Sequence, residues 1–255
     1  MSGREVQVTL IQLDNYGPWT DTLGSDREHT LQILQANLYS SIQKAFANLG
    51  GLVFFNRFDE MLAITNGITK EHHENIKREL QNQFPVTISM AIGVGKTPFQ
   101  AQQKASKLLQ QIGSAQSATR SSVIACERTL GLENSHVQAM HFDVDAITKT
   151  YTDRTSAYET SLHVMTLYTE LMKLFKERQV LIFFLGGDNF MGIANGLATQ
   201  EVEAVIQQYR AQNISLKCGI GIAQTARKAA ELATQNLDTI RLTNGEHPIL
   251  STTQL

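Results

Sequence analysis

The chain has 255 residues, of which 42% are apolar and 18% charged, and 22 Lys+Arg against 24 Asp+Glu give a formal charge of −2. This length supports one or two domains with a sizeable core, which excludes a disulfide-stapled miniprotein, and the composition excludes a disordered tail. The near-neutral balance lacks the basic footprint of a dedicated nucleic-acid binder.

In chain order, 7–13 is apolar and β-branched and predicts a strand. Helical spacing of Leu31, Leu34, Leu38, Ile42, Ala45 and Leu49 predicts a helix over 28–49, stopped by Gly50-Gly51. Segments 52–58 and 61–65 read as a hairpin around Asp59-Glu60. A polar helix over 70–84 ends at Pro85, a strand follows over 86–92, and a helix over 98–112 starts with Thr97 as cap and Pro98 in its first turn. The same order recurs over 138–142, 155–176, 180–185, 190–194, 200–212, 215–222 and 226–241.

The recurrence is an internal repeat. VTLIQLD (8–14) lines up with VQAMHFD (137–143), and GLVFFNRFD (51–59) with VLIFFLGGD (180–188), both at an offset of 129. Asn66-Gly67 and Asn195-Gly196 keep that offset, and Ile92-Gly93 and Ile220-Gly221 follow at 128. The expected fold is α+β, a tandem duplication of a ferredoxin-like βαββαβ domain with an extra C-terminal helix. The expected domains are 1–125 and 126–255, with the polar stretch 113–135 as linker.

Asp14 and Asp143 each follow an apolar strand, and Asp59 and Asp188 each sit at an apolar hairpin tip. In βαββαβ topology these elements are neighbours, so the carboxylates converge at one sheet edge. Converging carboxylates repel unless neutralised, and hard divalent cations such as Mg²⁺ suit such sites, completed by water and substrate phosphates. All four aspartates are therefore candidate metal ligands. The turn at Asn15, Tyr16 and Gly17 offers backbone N–H groups to phosphate, and Arg57 a guanidinium. Gly95-Lys96-Thr97 lacks the earlier glycine of a Walker A loop, because position 90 is methionine. His72 and His73 read as a solvated helix face. No Cys-x-x-Cys is present, so the usual zinc-deaminase signature is missing.

LGGDNF (185–190) resembles the Gly-Gly-Asp/Glu-Glu-Phe hairpin of diguanylate cyclases, and FDVDAIT (142–148) their Asp-x-Asp-x-Phe strand. Asn189 departs from the hairpin pattern, as does Arg57-Phe58-Asp59 in the first copy. A fuller resemblance is to archaeal-type GTP cyclohydrolase III. IQLDNYGPWT (11–20), GLVFFNRFD (51–59), AITNGI (63–68), GSAQS (113–117) and FLGGDNFM (184–191) are similar to its motifs, and the likeness runs to about residue 245.

This resemblance implies a pair of palm domains that hydrolyse GTP. The guanine imidazole ring opens at C8 with the formyl group kept, and two phosphates are released. The product is a formylaminopyrimidine ribosyl monophosphate on the way to riboflavin and deazaflavin cofactors. The resemblance further implies Mg²⁺, assistance by a monovalent cation such as K⁺, and a homo-oligomer. The N-terminal copy is expected to be catalytic, through Asp14 and Asp59. A nucleotidyl or diguanylate cyclase-like enzyme and a GTP-sensing module are the competing readings. No apolar run approaches the roughly 20 residues of a membrane span, no signal peptide is evident, and two cysteines read as free thiols. The expected location is cytoplasmic, with no membrane and no nucleic-acid partner.

Overall fold

The structure is a computed structural model and describes residues 4–144, 152–243 and 248–255. The chain divides into an N-terminal unit, Met1–Lys96 with Gln100–Ser135, and a C-terminal unit, Thr97–Phe99 with His136–Leu255. The division falls later than 125/126. The stretch 113–135 is part of the N-terminal unit, because Ile124–Cys126 pairs into that unit's sheet and is no free linker.

The N-terminal unit contains β1 (Val6–Leu13), α1 (Tyr16–Asp21), α2 (Glu28–Asn48), β2 (Leu52–Arg57), β3 (Glu60–Ile64), α3 (Lys70–Gln81), β4 (Ile88–Gly95), α4 (Pro98–Ile112) and β5 (Ile124–Cys126). Its sheet order is β2-β3-β1-β4-β5, antiparallel except where β5 runs parallel to β4. The alternation of a strand decides which side chains meet which layer. Ile11 and Leu13 of β1 join Leu38, Ile42 and Phe46 of α2 and Ile76 and Leu80 of α3 in one core. Helix α4 takes the other face. A Cβ on Gly93 would stand 2.1 Å from the Ala101 carbonyl oxygen, so only glycine lets α4 lie this close to β4.

The C-terminal unit contains β6 (Val137–Val144), α5 (Ala157–Lys176), β7 (Leu181–Gly186), β8 (Asn189–Ala194), α6 (Thr199–Arg210), β9 (Leu216–Ala223), α7 (Ala226–Leu242) and β10 (Ile249–Gln254), with sheet order β10-β9-β6-β8-β7. Strand β10 runs parallel to β9, as β5 does to β4. Ser156 and Glu159 satisfy each other's backbone donors at the start of α5, as Thr69 and His72 do for α3. Gly221 repeats the close approach of Gly93, 2.1 Å from the Ala229 carbonyl. The α+β duplication is as expected. Among the described residues no helix is long and apolar enough to cross a membrane.

The two polar-helix histidines part company. His73 is fully buried on the α3 face that also carries Ile76 and Leu80. Its Nδ1–H donates to the Thr69 carbonyl at 2.7 Å, which leaves Nε2 to accept from the Thr9 hydroxyl at 2.8 Å. Thr9 in turn accepts from Thr65, and Thr65 from the Gln7 amide. Burial pushes the His73 pKa from 6.5 down to about 4. The unfolded chain therefore takes up a proton near pH 6.5 that the folded chain refuses until about pH 4. Stability from this site is complete above pH 6.5 and is lost as pH falls through that window. At 1.36 kcal/mol per pH unit the loss reaches about 3 kcal/mol. Urea unfolding at stepped pH should show it, and His73→Gln should flatten it; equal slopes for both proteins would refute the assignment.

Candidate functional site

The register corrects the duplication in the first strand. Val6 pairs Gly95, while Val137 pairs Ala223; Val8 pairs Ile64, while Ala139 pairs Ile193. The later strands keep offsets of 128 and 129, so β1 and β6 correspond at 131. Gln12 is therefore the counterpart of Asp143, and Asp14 that of Asp145, which lies outside the described residues together with the rest of 145–148. A slip of two preserves the inward and outward alternation of a strand, so the apolar pattern of the sequence fits both alignments.

Asp14 is not an open ligand. Its side chain is 1% exposed and pairs with the 2% exposed Arg120 through Nε at 3.2 Å. Its Oδ1 also accepts from Ser89 Oγ at 2.7 Å, and its Oδ2 from Thr87 Oγ1 at 2.9 Å and the Ser122 N–H at 2.7 Å. Four donors fill the carboxylate's lone-pair directions, and a guanidinium already supplies the counter-charge. The expected convergence of Asp14 with Asp59 on a metal is replaced by a buried ion pair with a residue that sequence reading left in the linker.

Asp59 remains accessible. It is 40% exposed at the β2–β3 tip, with Arg57 Nε 3.4 Å away. Its carbonyl accepts from the Leu13 N–H at 3.1 Å, which pins the tip to the end of β1. Arg57, 63% exposed, also reaches Glu60 at 3.5 Å. Asn15 adopts a left-handed conformation at φ 50°, and its N–H donates to the Ala115 carbonyl at 2.7 Å, so that donor is already spent and does not face phosphate. Its Oδ1 is buried without a partner. The Tyr16 hydroxyl accepts from Gln35 at 2.6 Å, and burial raises its pKa despite that bond. A Cβ on Gly17 would rest 3.5 Å from Gln116 Nε2.

Beside these residues a cavity of about 560 Å³ opens between the sheet and α4. Gln12 and Glu60, cross-strand neighbours on β1 and β3, form its polar floor. Gln12 Nε2 donates to Glu60 Oε2 at 2.5 Å, and Asn56 Nδ2 to Oε1 at 2.5 Å. Arg120 Nη1 donates to Gln12 Oε1 at 3.1 Å and to the Gly113 carbonyl at 3.4 Å. Arg120 Nη2 is buried with no partner. Sequence reasoning passed over Glu60 and Arg120; the only local signal was an acidic residue at the hairpin turn.

In the C-terminal unit the roles of acid and amide are exchanged. Asp143 occupies the Gln12 position and Asn189 the Glu60 position. Arg241 clamps Asp143 through Nη2 at 2.8 Å and Nε at 3.3 Å, and its Nη2 reaches Asn189 Oδ1 at 3.3 Å. Asp188 Oδ1 accepts from Asn189 Nδ2 at 2.9 Å. Helix α7 continues two residues beyond the point that corresponds to the end of α4, and Arg241 sits on that extra length, across the carboxylate. In the N-terminal unit Gly113, at φ 127°, follows the last residue of α4 where the chain turns away, and the cavity opens. Burial and the Arg241 charge hold His141, in the Leu10 position, below the usual histidine range.

Among the described residues no three His, Cys, Asp or Glu come together as a metal cluster. That donor set does not fit a structural zinc site. Mg²⁺ needs only one or two carboxylates, with water and phosphates completing its shell. Of the four aspartates, Asp59 is exposed enough to meet that demand, whereas Asp143 is clamped by Arg241 as Asp14 is by Arg120.

Fold and site together define an α+β protein of two related palm-like units, one holding a polar cavity beside an acidic hairpin. The chain matches the GTP cyclohydrolase III family over residues 8–254. It is 46% identical to GTP cyclohydrolase III of Methanothermobacter thermautotrophicus and 44% identical to that of Methanobrevibacter smithii, in each case over 92% of this chain and 94% of the relative. The chain belongs to the GTP cyclohydrolase III family and is an enzyme. Among solved structures, a bacterial light-regulated adenylyl cyclase is 12% identical at a TM-score of 0.39, over 97% of this chain and 85% of that one. The GGEEF domain of a Vibrio cholerae diguanylate cyclase is 14% identical at 0.36, over 48% of this chain and 84% of that one.

Proposed function

We propose that the protein opens the imidazole ring of GTP at C8, keeps the formyl group and releases two phosphates, giving a formylaminopyrimidine ribosyl monophosphate for riboflavin and deazaflavin synthesis. The observation that carries this reading is the cavity over Gln12 and Glu60, whose volume lies in the range of small-ligand sites. It belongs to the copy in which no arginine bridges the cross-strand pair.

In this reading Asp59, between the cavity-lining Arg57 and Glu60, would hold Mg²⁺ together with the triphosphate, and Asp188 marks a second site that Asp143 joins once Arg241 leaves it. When bound, Mg²⁺ polarises phosphoryl oxygens and lowers the pKa of water. Arg57, free to swing on the exposed hairpin, pairs with phosphate oxygens. Asp14 acts through Arg120, fixing its guanidinium at the cavity wall. Tyr16 and Gly17 open α1, where the Asp59 charge reaches Tyr16, and a monovalent cation such as K⁺ assists.

The partner surface fits a second copy of this chain. Helix α5 leaves Tyr158, Leu162, Met165 and Met172 exposed, a heptad-like stripe suited to a homo-oligomer. Unpaired Cys126 and Cys218 agree with a reducing, cytoplasmic setting.

The test is to incubate the protein with GTP, Mg²⁺ and K⁺, weigh the products and measure phosphate. A ring-opened monophosphate with two phosphates, unaffected by zinc chelation, is the expected result. A cyclic product with pyrophosphate would make the protein a cyclase, and activity restored only by zinc would remove the Mg²⁺ assignment.

A further inference from the structure

In the C-terminal unit a cleft of about 270 Å³ lies between α5 and α6. Glu170, Lys173, Gln208 and Gln212 form its exposed rim, Leu174 is half-buried in its wall, and Tyr209, 1% exposed, is its floor. The duplication supplies a control within the same chain. The cleft between α2 and α3, of about 250 Å³, is lined by the residues 129 positions earlier, together with Asn48. Lys44 and Gln83 there repeat Lys173 and Gln212, but Leu80 stands where Tyr209 stands and Ser41 where Glu170 stands. Packing at this point of the second helix is therefore met by a leucine. Tyrosine adds a hydroxyl that is buried and makes no hydrogen bond. Burial and the nearby Glu170 charge raise its pKa, yet the carboxylate stands outside bonding geometry. A buried hydroxyl left unpaired is costly, so a site that keeps one is built for a partner. A donor placed between the Glu170 and Tyr209 oxygens would close the gap.

Charge narrows the class of ligand. Glu170 and Lys173 are three residues apart on α5, so they are neighbours on the helix surface. An anion alone would meet Glu170, and a cation alone would meet Lys173; a small molecule carrying both charges suits both. The cleft is slightly smaller than the roughly 300 Å³ at which drug-sized ligand sites begin, so its occupant is small. We propose that this cleft binds a free α-amino acid with a short polar side chain. Its ammonium lies between Glu170 and the Tyr209 hydroxyl oxygen, its carboxylate on Lys173, and its side chain against the Gln208 and Gln212 carboxamides. The site is separate from the cavity of the N-terminal unit and does not depend on the reading of GTP as substrate.

Equilibrium dialysis of the intact protein against labelled L-serine, L-asparagine and L-glutamine, in separate runs without GTP, measures the binding. At least one should saturate at one molecule per chain rather than two, since Leu80 leaves the α2–α3 cleft without the hydroxyl. Propionate and propylamine should not compete, because each carries only one of the two charges. Tyr209→Phe removes the hydroxyl alone and should weaken binding about tenfold, the effect of one hydrogen bond to a charged group. Its thermal midpoint should stay level or rise, which separates lost binding from lost folding. Glu170→Gln and Lys173→Gln, both on the exposed rim, should weaken binding further and keep the test decisive if Tyr209→Phe does not fold. No saturable binding of any of the three amino acids would overturn the proposal. So would wild-type affinity in the folded variants, or full competition by propylamine or propionate.

Discussion

Arg120→Met should destabilise the N-terminal unit by about 3–5 kcal/mol, the usual effect of removing one partner from a buried ion pair. Asp14 would keep three donors, Thr87, Ser89 and the Ser122 backbone, but lose the cation that compensates its burial. The loss should show as a lower urea midpoint, followed by circular dichroism. Asp14→Asn together with Arg120→Met leaves no lone charge and should recover part of it. A single-variant effect below about 1 kcal/mol would mean that water reaches the carboxylate and the pair is not sealed. The same pair ties the segment after α4 to the end of β1, so Arg120→Met should also loosen the cavity wall made by Gly113, Ser114 and Ala115.

On the proposed Mg²⁺ role of Asp59, Asp59→Asn should lower turnover of GTP by about a hundredfold or more, since losing a metal-holding carboxylate costs several kcal/mol of transition-state stabilisation. The residue is 40% exposed at a hairpin tip, so the fold should survive the change. Asp188→Asn, assayed beside it, measures the other copy. A large loss in Asp188→Asn with none in Asp59→Asn would move the reacting centre to the C-terminal unit, where Arg241 would have to leave Asp143. Equal losses would mean that both carboxylate sites serve one reaction.

Much of the architecture was legible from periodicity. Strands β1 to β4 and helices α2, α3 and α4 lie where apolar spacing, Gly50-Gly51 and Pro85 put them, and their repeats follow in the second copy. Helix α1 was read as a turn because Gly17 and Pro18 are turn formers; it holds six residues packed by Tyr16 and Trp19 against the core. Strands β5 and β10 were missed because each is an edge strand, with little or no buried apolar face to set a pattern. His73 was read as solvated because its neighbours are polar, yet it shares a helical stripe with Ile76 and Leu80.

The sequence by itself determined the duplication, the α+β class, the two acidic hairpins and the family likeness. These depend on local periodicity and on motifs that survive in one dimension. The tertiary structure alone decided what each acid does. Strand alternation is blind to a slip of two, so only the register shows that Gln12, and not Asp14, stands where Asp143 stands. Whether a carboxylate is open or sealed depends on what packs over it. Arg120 reaches Asp14 across 106 positions of chain, and Arg241 reaches Asp143 across 98. The cavity exists in one copy because α4 stops at Ile112, and Gly113 stands where the longer α7 sets Arg241 over the same spot.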